Sequence, residues 1–219
     1  MCLLVILHKV HAEYPLIVAA NRDEDPARGG EAPGARGGGI VSPRDPRSGG
    51  TWIGVNAHGV LSAVTNRAAP AAQGPAQVNS RGTLPMEALK EKTAFQAHRR
   101  AGRIPTFVYS PFNWIYADRN QAFAMEHGGP SDITVRLRPG THVLTNVHDL
   151  SRTNAESVVQ FLDIDPETSG ADVLFSKLKE LLGVHESLFS PDHRICKHEG
   201  LPRTVSANLI AVHATESKK

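Results

Sequence analysis

Cys2 is one of only two cysteines in the chain and stands directly behind the initiator methionine in the opening stretch MCLLVILHKVHAEYPLIVAANRDEDPAR. A run of apolar residues later comes NRDE. There Asn21, Arg22, Asp23 and Glu24 supply an amide, a guanidinium and two carboxylates a hairpin's length from the thiol. Methionine aminopeptidases remove Met before small residues such as Cys, and that removal would leave Cys2 with a free α-amine. Such an amine has a reference pKa of roughly 7.7–8.0, against roughly 8.5 for a thiol, so it can act as general base to the side chain of its own residue. A neighbouring guanidinium favours the thiolate. A carboxylate can hold and orient the ammonium form. The arrangement needs no histidine. The plainer alternative makes Cys2 a small hydrophobe at a strand start and NRDE a polar turn with an ion pair.

The elements that must position these groups are legible from pattern. CLLVILHK (2–9) and PLIVAAN (15–21) are short, rich in branched residues and apolar on both faces, which predicts strands held between layers. The link VHAEY is short enough for a hairpin. If the two strands pair, Asn21, Arg22 and Asp23 finish beside Cys2. Residues 25–50 are rich in Gly, Pro and Arg and read as a long loop with a short strand at GGIVS. TWIGV and VLSAVTN flank NAHG as a second hairpin. RAAPAAQGPAQVNSRG reads as a loop. TLPMEALKEKTAFQAHRRAG predicts one helix over 83–100, capped by Thr83. FNWIYADRNQAFAMEHG reads as a hairpin, and ITVRLRPGTHVLTN as two strands around a Pro-Gly turn. NAESVVQFLDI and ADVLFSKLKELLG read as amphipathic helices, and TVSANLIAVHA as a last strand. Hairpins, helix, hairpins, helices, strand: this order suits an α+β layered domain with mainly antiparallel sheet.

The 219 residues suffice for a sizeable core and predict a single domain, 1–219. With 21% charged and 40% hydrophobic residues and a formal charge of +2, nothing points to a nucleic-acid partner. CLLVIL and PLIVAA are too short to span a bilayer. No signal peptide is apparent, and the expected compartment is the cytoplasm. There, Cys2 and Cys196 are expected to stay unlinked.

MC, the hairpin and NRDE together resemble the NRDE family, also called the transport and Golgi organisation family. GGTWIGVNAHGVLSAVTN, SRG (80–82), FNWIYAD (112–118), GTHVLTN (140–146) and ICKH (195–198) extend the resemblance over nearly the whole chain. That family in turn is similar to N-terminal nucleophile (Ntn) hydrolases of the bile-salt-hydrolase and penicillin-acylase kind. The resemblance implies a four-layer αββα sandwich with Cys2 as nucleophile. It maps the hydrolases' Arg and Asp onto Arg22 and Asp23. The hydrolases have Arg-Asn-x-Asp, so whether Asp23 or Glu24 faces the amine stays open. It also maps two oxyanion amides onto Asn66 and Asn146. Many family members carry Gly-Thr-Arg-Ser-Ser before the last strand. Here GLPRTVSANLI puts Val205 where that Arg would stand, with Arg203 two residues earlier. On a regular strand those two would share a face. Asn21, Glu24, Trp52 and Arg203 are the candidates for substrate contact.

Other constellations are weaker. His193, Cys196 and His198 in HRICKH could be part of a metal site, but a zinc site needs a fourth ligand or a water. No metal or cofactor is expected. Trp52 and Trp114 suit core packing or a pocket wall. Arg44 and Arg47 lie on a Gly-rich segment that is either solvated or turned to an anionic substrate. The resulting expectation is a cysteine amidohydrolase acting on a non-peptide C–N bond of a small molecule. The alternative is a non-catalytic carrier or chaperone for haem or an acyl-type lipid ligand. A Golgi-trafficking role, which the family's name suggests, finds no membrane- or coat-binding element in the chain.

Overall fold

The computed structural model describes residues 2–67, 79–146, 152–189 and 194–215. The strands are β1 (Leu3–His8), β2 (Leu16–Glu24), β3 (Glu31–Ala35), β4 (Ile40–Arg44), β5 (Ile53–Asn56), β6 (Leu61–Asn66), β7 (Phe112–Ala117), β8 (Ala122–His127), β9 (Ile133–Leu137), β10 (Gly140–Thr145) and β11 (Arg203–Val212). The helices are α1 (Thr83–Ala88), α2 (Ala94–Ala101), α3 (Arg152–Leu162) and α4 (Ala171–Leu182). The chain divides into two compact units, one of Met1–Ala27 with Arg138–Glu216 and one containing Arg28–Leu137.

The first unit is a four-stranded antiparallel sheet, β10-β1-β2-β11, with α3 and α4 on one face. The apolar character of β1 on both faces puts it inside the sheet, where all six of its residues are buried. Leu3, Val5, Leu7, Ile17 and Ala19 pack against Val158 and Leu162 of α3 and against Leu174, Leu178 and Leu181 of α4. The four-, three- and one-residue spacing of Leu174, Leu178, Leu181 and Leu182 makes one helical stripe. Each such leucine contributes about 1.5–3 kcal/mol by leaving water. Strand alternation therefore turns Leu4, Ala20, Arg22 and Leu144 to the face opposite the helices.

The second unit is a seven-stranded antiparallel sheet whose strand order, β3 to β9, follows the chain. Alanines 88, 94, 97 and 101 of α1 and α2 let the helices approach closely a wall of Phe112, Trp114, Tyr116, Phe123 and Met125. Trp114 is fully buried there and its indole N–H donates to Ser62 Oγ at 2.9 Å. Burial pushes the Tyr116 hydroxyl well above its ordinary value.

Three local expectations are corrected. The single helix over 83–100 is two helices. Ala94 N–H donates to Asp118 Oδ2 at 2.7 Å and Gln96 N–H to Thr93 Oγ1 at 3.2 Å, so α2 has an N-terminus of its own. Thr83 is not a cap: Gly82 holds that position, and the Thr83 hydroxyl donates to the Ser80 carbonyl. The stretch read as a loop over 25–50 contains β3 as well as β4. As the edge of its sheet, β3 tolerates Pro33 without losing a ladder bond in the interior.

The strands around the Pro-Gly turn, β9 and β10, do not pair with each other. The chain leaves one sheet and enters the other at Arg138–Pro139, and Gly140 follows with φ of 140°, open chiefly to glycine. Among the described residues, no helix is long and apolar enough to cross a membrane.

Candidate active site

The β1–β2 hairpin does what its sequence predicts. Leu3 pairs with Asn21, and the Cys2 side chain is clasped to the β2 backbone one step beyond. Asp23 N–H donates to Cys2 Sγ at 3.3 Å, and the thiol donates to the Asp23 carbonyl at 3.5 Å. β2 runs on through Glu24, so NRDE is strand and not turn. A β2 extended to this length sets Asn21 opposite Leu3 and carries Arg22, Asp23 and Glu24 past the start of β1.

On the other side of β1, Leu3 pairs with Thr145, the last residue of β10, and Asn146 is the next residue out, as Cys2 is on its own strand. On the far side of β2, Ser206 of β11 pairs with Arg22. Arg22 and Ser206 thus form one cross-strand pair, with Asn208 facing Ala20 one row along, and Cys2 and Asn146 stand one residue beyond the pairs that Leu3 makes with Asn21 and Thr145. Directly opposed Cβ atoms in such rows lie about 4.5–5.5 Å apart. Among the described residues, three buried polar atoms of these residues, Asn146 Oδ1, Ser206 Oγ and Asn208 Nδ2, have no hydrogen-bond partner. Arg22 is 8% exposed and lies 3.6 Å from the Glu24 carboxylate, two residues along the same face.

Asn21 and Asp23 point the other way, to the helix side. Asn21 Nδ2 donates to the Leu182 carbonyl at the end of α4 (2.8 Å) and to the Ile195 carbonyl (3.2 Å). Both amide hydrogens are thereby engaged in tying elements together. Asp23 Oδ1 accepts the Thr204 hydroxyl at 2.7 Å.

The face shared by Arg203 and Val205 on a regular strand does not exist here. β11 carries a register shift between Thr204 and Ser206, so Val205 is an inserted residue and alternation restarts after it. Arg203 is exposed and pairs with Glu24.

Asn66, exposed at the end of β6, and Trp52, half-buried just before β5, belong to the seven-stranded unit. The oxyanion role of Asn66 rests on the resemblance alone. Arg44 pairs with Glu31 at 3.6 Å with both side chains exposed. Neither cysteine is in a disulfide. His193 lies outside the described residues. Thr204, Ser206 and Asn208 were not singled out in the sequence. The signal for the latter two was present in TVSANLIAV, where polar residues two apart interrupt an apolar strand and so fall on one face.

A family model described as Transport and Golgi organisation 2 matches residues 1–216. The human Transport and Golgi organization protein 2 homolog is 33% identical over 144 residues, which cover 61% of this chain and 51% of that protein. The Bos taurus homolog is 30% identical over 142 residues, with coverage of 61% and 51%. The chain thus spans about half the length of the curated relatives it matches. Among solved structures, a Caenorhabditis elegans N-acylethanolamine-hydrolyzing acid amidase ortholog superposes with TM-score 0.61 at 12% identity, covering 95% of this chain and 92% of that one. Penicillin V acylase from Agrobacterium tumefaciens superposes with TM-score 0.58 at 15% identity, covering 96% and 79%. At these identities the likeness is one of fold: an α+β chain of antiparallel sheets, Ntn-hydrolase-like.

Proposed function

The chain belongs to the Transport and Golgi organisation 2 family, and from that premise we propose that it is a cysteine amidohydrolase acting on a C–N bond of a small N-acyl compound. The observation that carries the reading is that Cys2 and its neighbours Asn146 and Arg22 come at the same end of the paired strands, each one residue beyond the Leu3–Thr145 and Leu3–Asn21 pairs, so that a thiol, an amide and a guanidinium meet there. One fold neighbour is named for hydrolysing N-acylethanolamines and the other is named an acylase, which supports an N-acyl amide as the substrate class.

The proposed chemistry begins once Met1 is removed. The α-amine of Cys2 takes the thiol proton, and Sγ attacks the amide carbonyl. The Asn146 amide donates to the tetrahedral oxyanion. The ammonium returns its proton to the leaving nitrogen as the C–N bond breaks, leaving a thioester on Cys2. Water, deprotonated by the same amine, attacks the thioester; the acid departs and the thiol is restored. Arg22 favours the thiolate, and Glu24 offsets the charge of Arg22 on the same face.

Intact-mass measurement before and after incubation with an acylating probe tests this. The expected result is a mature chain starting at Cys2 that gains one acyl group. Cys2→Ser retains slow acylation and Cys2→Ala loses both acylation and amide hydrolysis while keeping its fold. Equal acylation of parent and Cys2→Ala would overturn the nucleophile assignment. Ligand binding without an acyl-enzyme at any pH would replace the enzyme by a carrier.

A further inference from the structure

A second constellation lies on the helix side of the same unit. After α4 the chain passes through Val184, His185 and Glu186, and the segment from Arg194 to His198 lies against it. Cys196 N–H donates to the Val184 carbonyl at 2.8 Å and Ile195 N–H to the Glu186 carbonyl at 3.3 Å. The two segments are therefore fixed by backbone bonds on either side of His185. They bring together a buried thiol and two exposed imidazoles: Cys196 Sγ stands 3.8 Å from His198 Nε2, and the His185 and His198 rings are 4.7 Å apart. The ligand atoms of all three lie within 4.8 Å of one another.

We infer that His185, Cys196 and His198 form a binding site for a borderline-soft divalent transition metal of the zinc class. Thiolate and imidazole donors suit such ions, whereas magnesium and calcium call for oxygen ligands. Zinc binds nitrogen at about 2.0–2.1 Å and sulfur at about 2.3 Å in tetrahedral array, which sets ligand atoms roughly 3.3–3.6 Å apart. The trio needs to close by about 1 Å, and the two exposed imidazoles can rotate to do so while buried Cys196 stays in place. Binding expels the Cys196 thiol proton to solvent and leaves a fourth position for water or another donor.

The site has a structural consequence for the NRDE strand. Asn21 donates to the carbonyls of Leu182 and Ile195, one in each of the two segments that carry the cluster. Lys197 N–H donates to Thr204 Oγ1 and Thr204 N–H to the Lys197 carbonyl, both at 2.9 Å, and Thr204 holds Asp23. A metal at this point clamps the segment that these bonds depend on, without touching Cys2.

Titration of the reduced, chelator-treated full chain with Co²⁺ tests the assignment, with Zn²⁺ as competitor. The expected result is a sulfur-to-cobalt charge-transfer absorption that saturates at one ion per chain and is displaced by Zn²⁺. It persists in Cys2→Ser and vanishes in Cys196→Ser. The double variant His185→Asn/His198→Asn binds more than about 100-fold more weakly, since even outer-shell changes cost about 10–100-fold. Three outcomes overturn the site: no such absorption in the parent chain, absorption that follows Cys2 instead of Cys196, or parent-like affinity in the double histidine variant. Because both imidazoles are exposed, the double variant decides the matter if Cys196→Ser fails to fold.

Discussion

Thr204 stands opposite Asp23 across β11 and β2, and its hydroxyl donates to Asp23 Oδ1 at 2.7 Å while accepting Lys197 N–H at 2.9 Å. One hydroxyl thus joins the last strand, the segment before it and the first carboxylate of NRDE. Thr204→Val keeps the shape and removes the hydroxyl, leaving buried Asp23 one partner short. The expected cost is about 1–3 kcal/mol in urea unfolding. Thr204→Ser restores most of it. A valine variant as stable as the parent would show that the bond contributes nothing.

That contact explains part of what was hidden in the sequence. Asp23 and Thr204 are 181 residues apart, and no local pattern links them. The inserted Val205 is equally silent, since a bulge changes register without changing composition. Positions decided by short-range patterning were legible. β1 and β2 follow from unbroken apolar runs, and α4 from the spacing of its leucines. The break between α1 and α2 was not, because it depends on Asp118, a side chain from the β7–β8 turn, capturing Ala94 N–H. At the candidate site, the proximity of Cys2 to NRDE was readable from hairpin length. The split of NRDE into two faces was not, because it required the strand to continue through Glu24.

That split gives Asn21 a structural task distinct from the residues beside it. Its amide bonds to Leu182 and Ile195 are buried, so Asn21→Ala strands two carbonyls. Thermal or urea unfolding should show a loss of about 2–4 kcal/mol. Asn21→Asp at neutral pH sets a carboxylate against two carbonyl oxygens and should be no better. Unfolding curves of Asn21→Ala that overlay the parent's would remove Asn21 from the tie between α4 and β2.

In the other unit, Glu87 of α1 is the link to α2, accepting from Arg100 Nε at 2.6 Å and from Lys90. Partial burial disfavours its ionised form, but the hydrogen bonds from Lys90 and Arg100 outweigh that and hold its carboxyl below the ordinary value of 4.5. The sign follows from linkage. A depressed carboxyl contributes stability that is fully present above the unfolded value and is lost as pH falls through the folded one. Glu87→Gln should therefore cost about 0.2–1 kcal/mol at neutral pH, a range suited to partly exposed pairs. The difference from the parent should fade below the ordinary carboxyl value. A difference that persists unchanged in acid would assign the effect to packing instead of charge.

Arg22 carries the last prediction, because Leu3 pairs with Asn21 and Cys2 and Arg22 are the next residues on the two chains. Its guanidinium is buried, and Glu24 at 3.6 Å answers part of its charge. A positive group at a cross-strand position favours thiolate over thiol, so the rate of alkylation by iodoacetamide should report it. Arg22→Gln removes the charge and keeps a hydrogen-bonding side chain of lesser length. Its alkylation profile at Cys2 should move to higher pH, with a rate at neutral pH lower by about tenfold for each unit of movement. Arg22→Lys should lie between the two, since an ammonium keeps the charge and loses the planar fork. Glu24→Gln should act in the opposite direction by leaving the guanidinium unanswered. Peptide mapping after a short pulse separates Cys2 from Cys196, and Cys196 serves as internal reference because no charge has changed beside it. If the Cys2 profiles of parent, Arg22→Gln and Glu24→Gln coincide, the thiol is not tuned by this pair, and activation would fall to the α-amine alone.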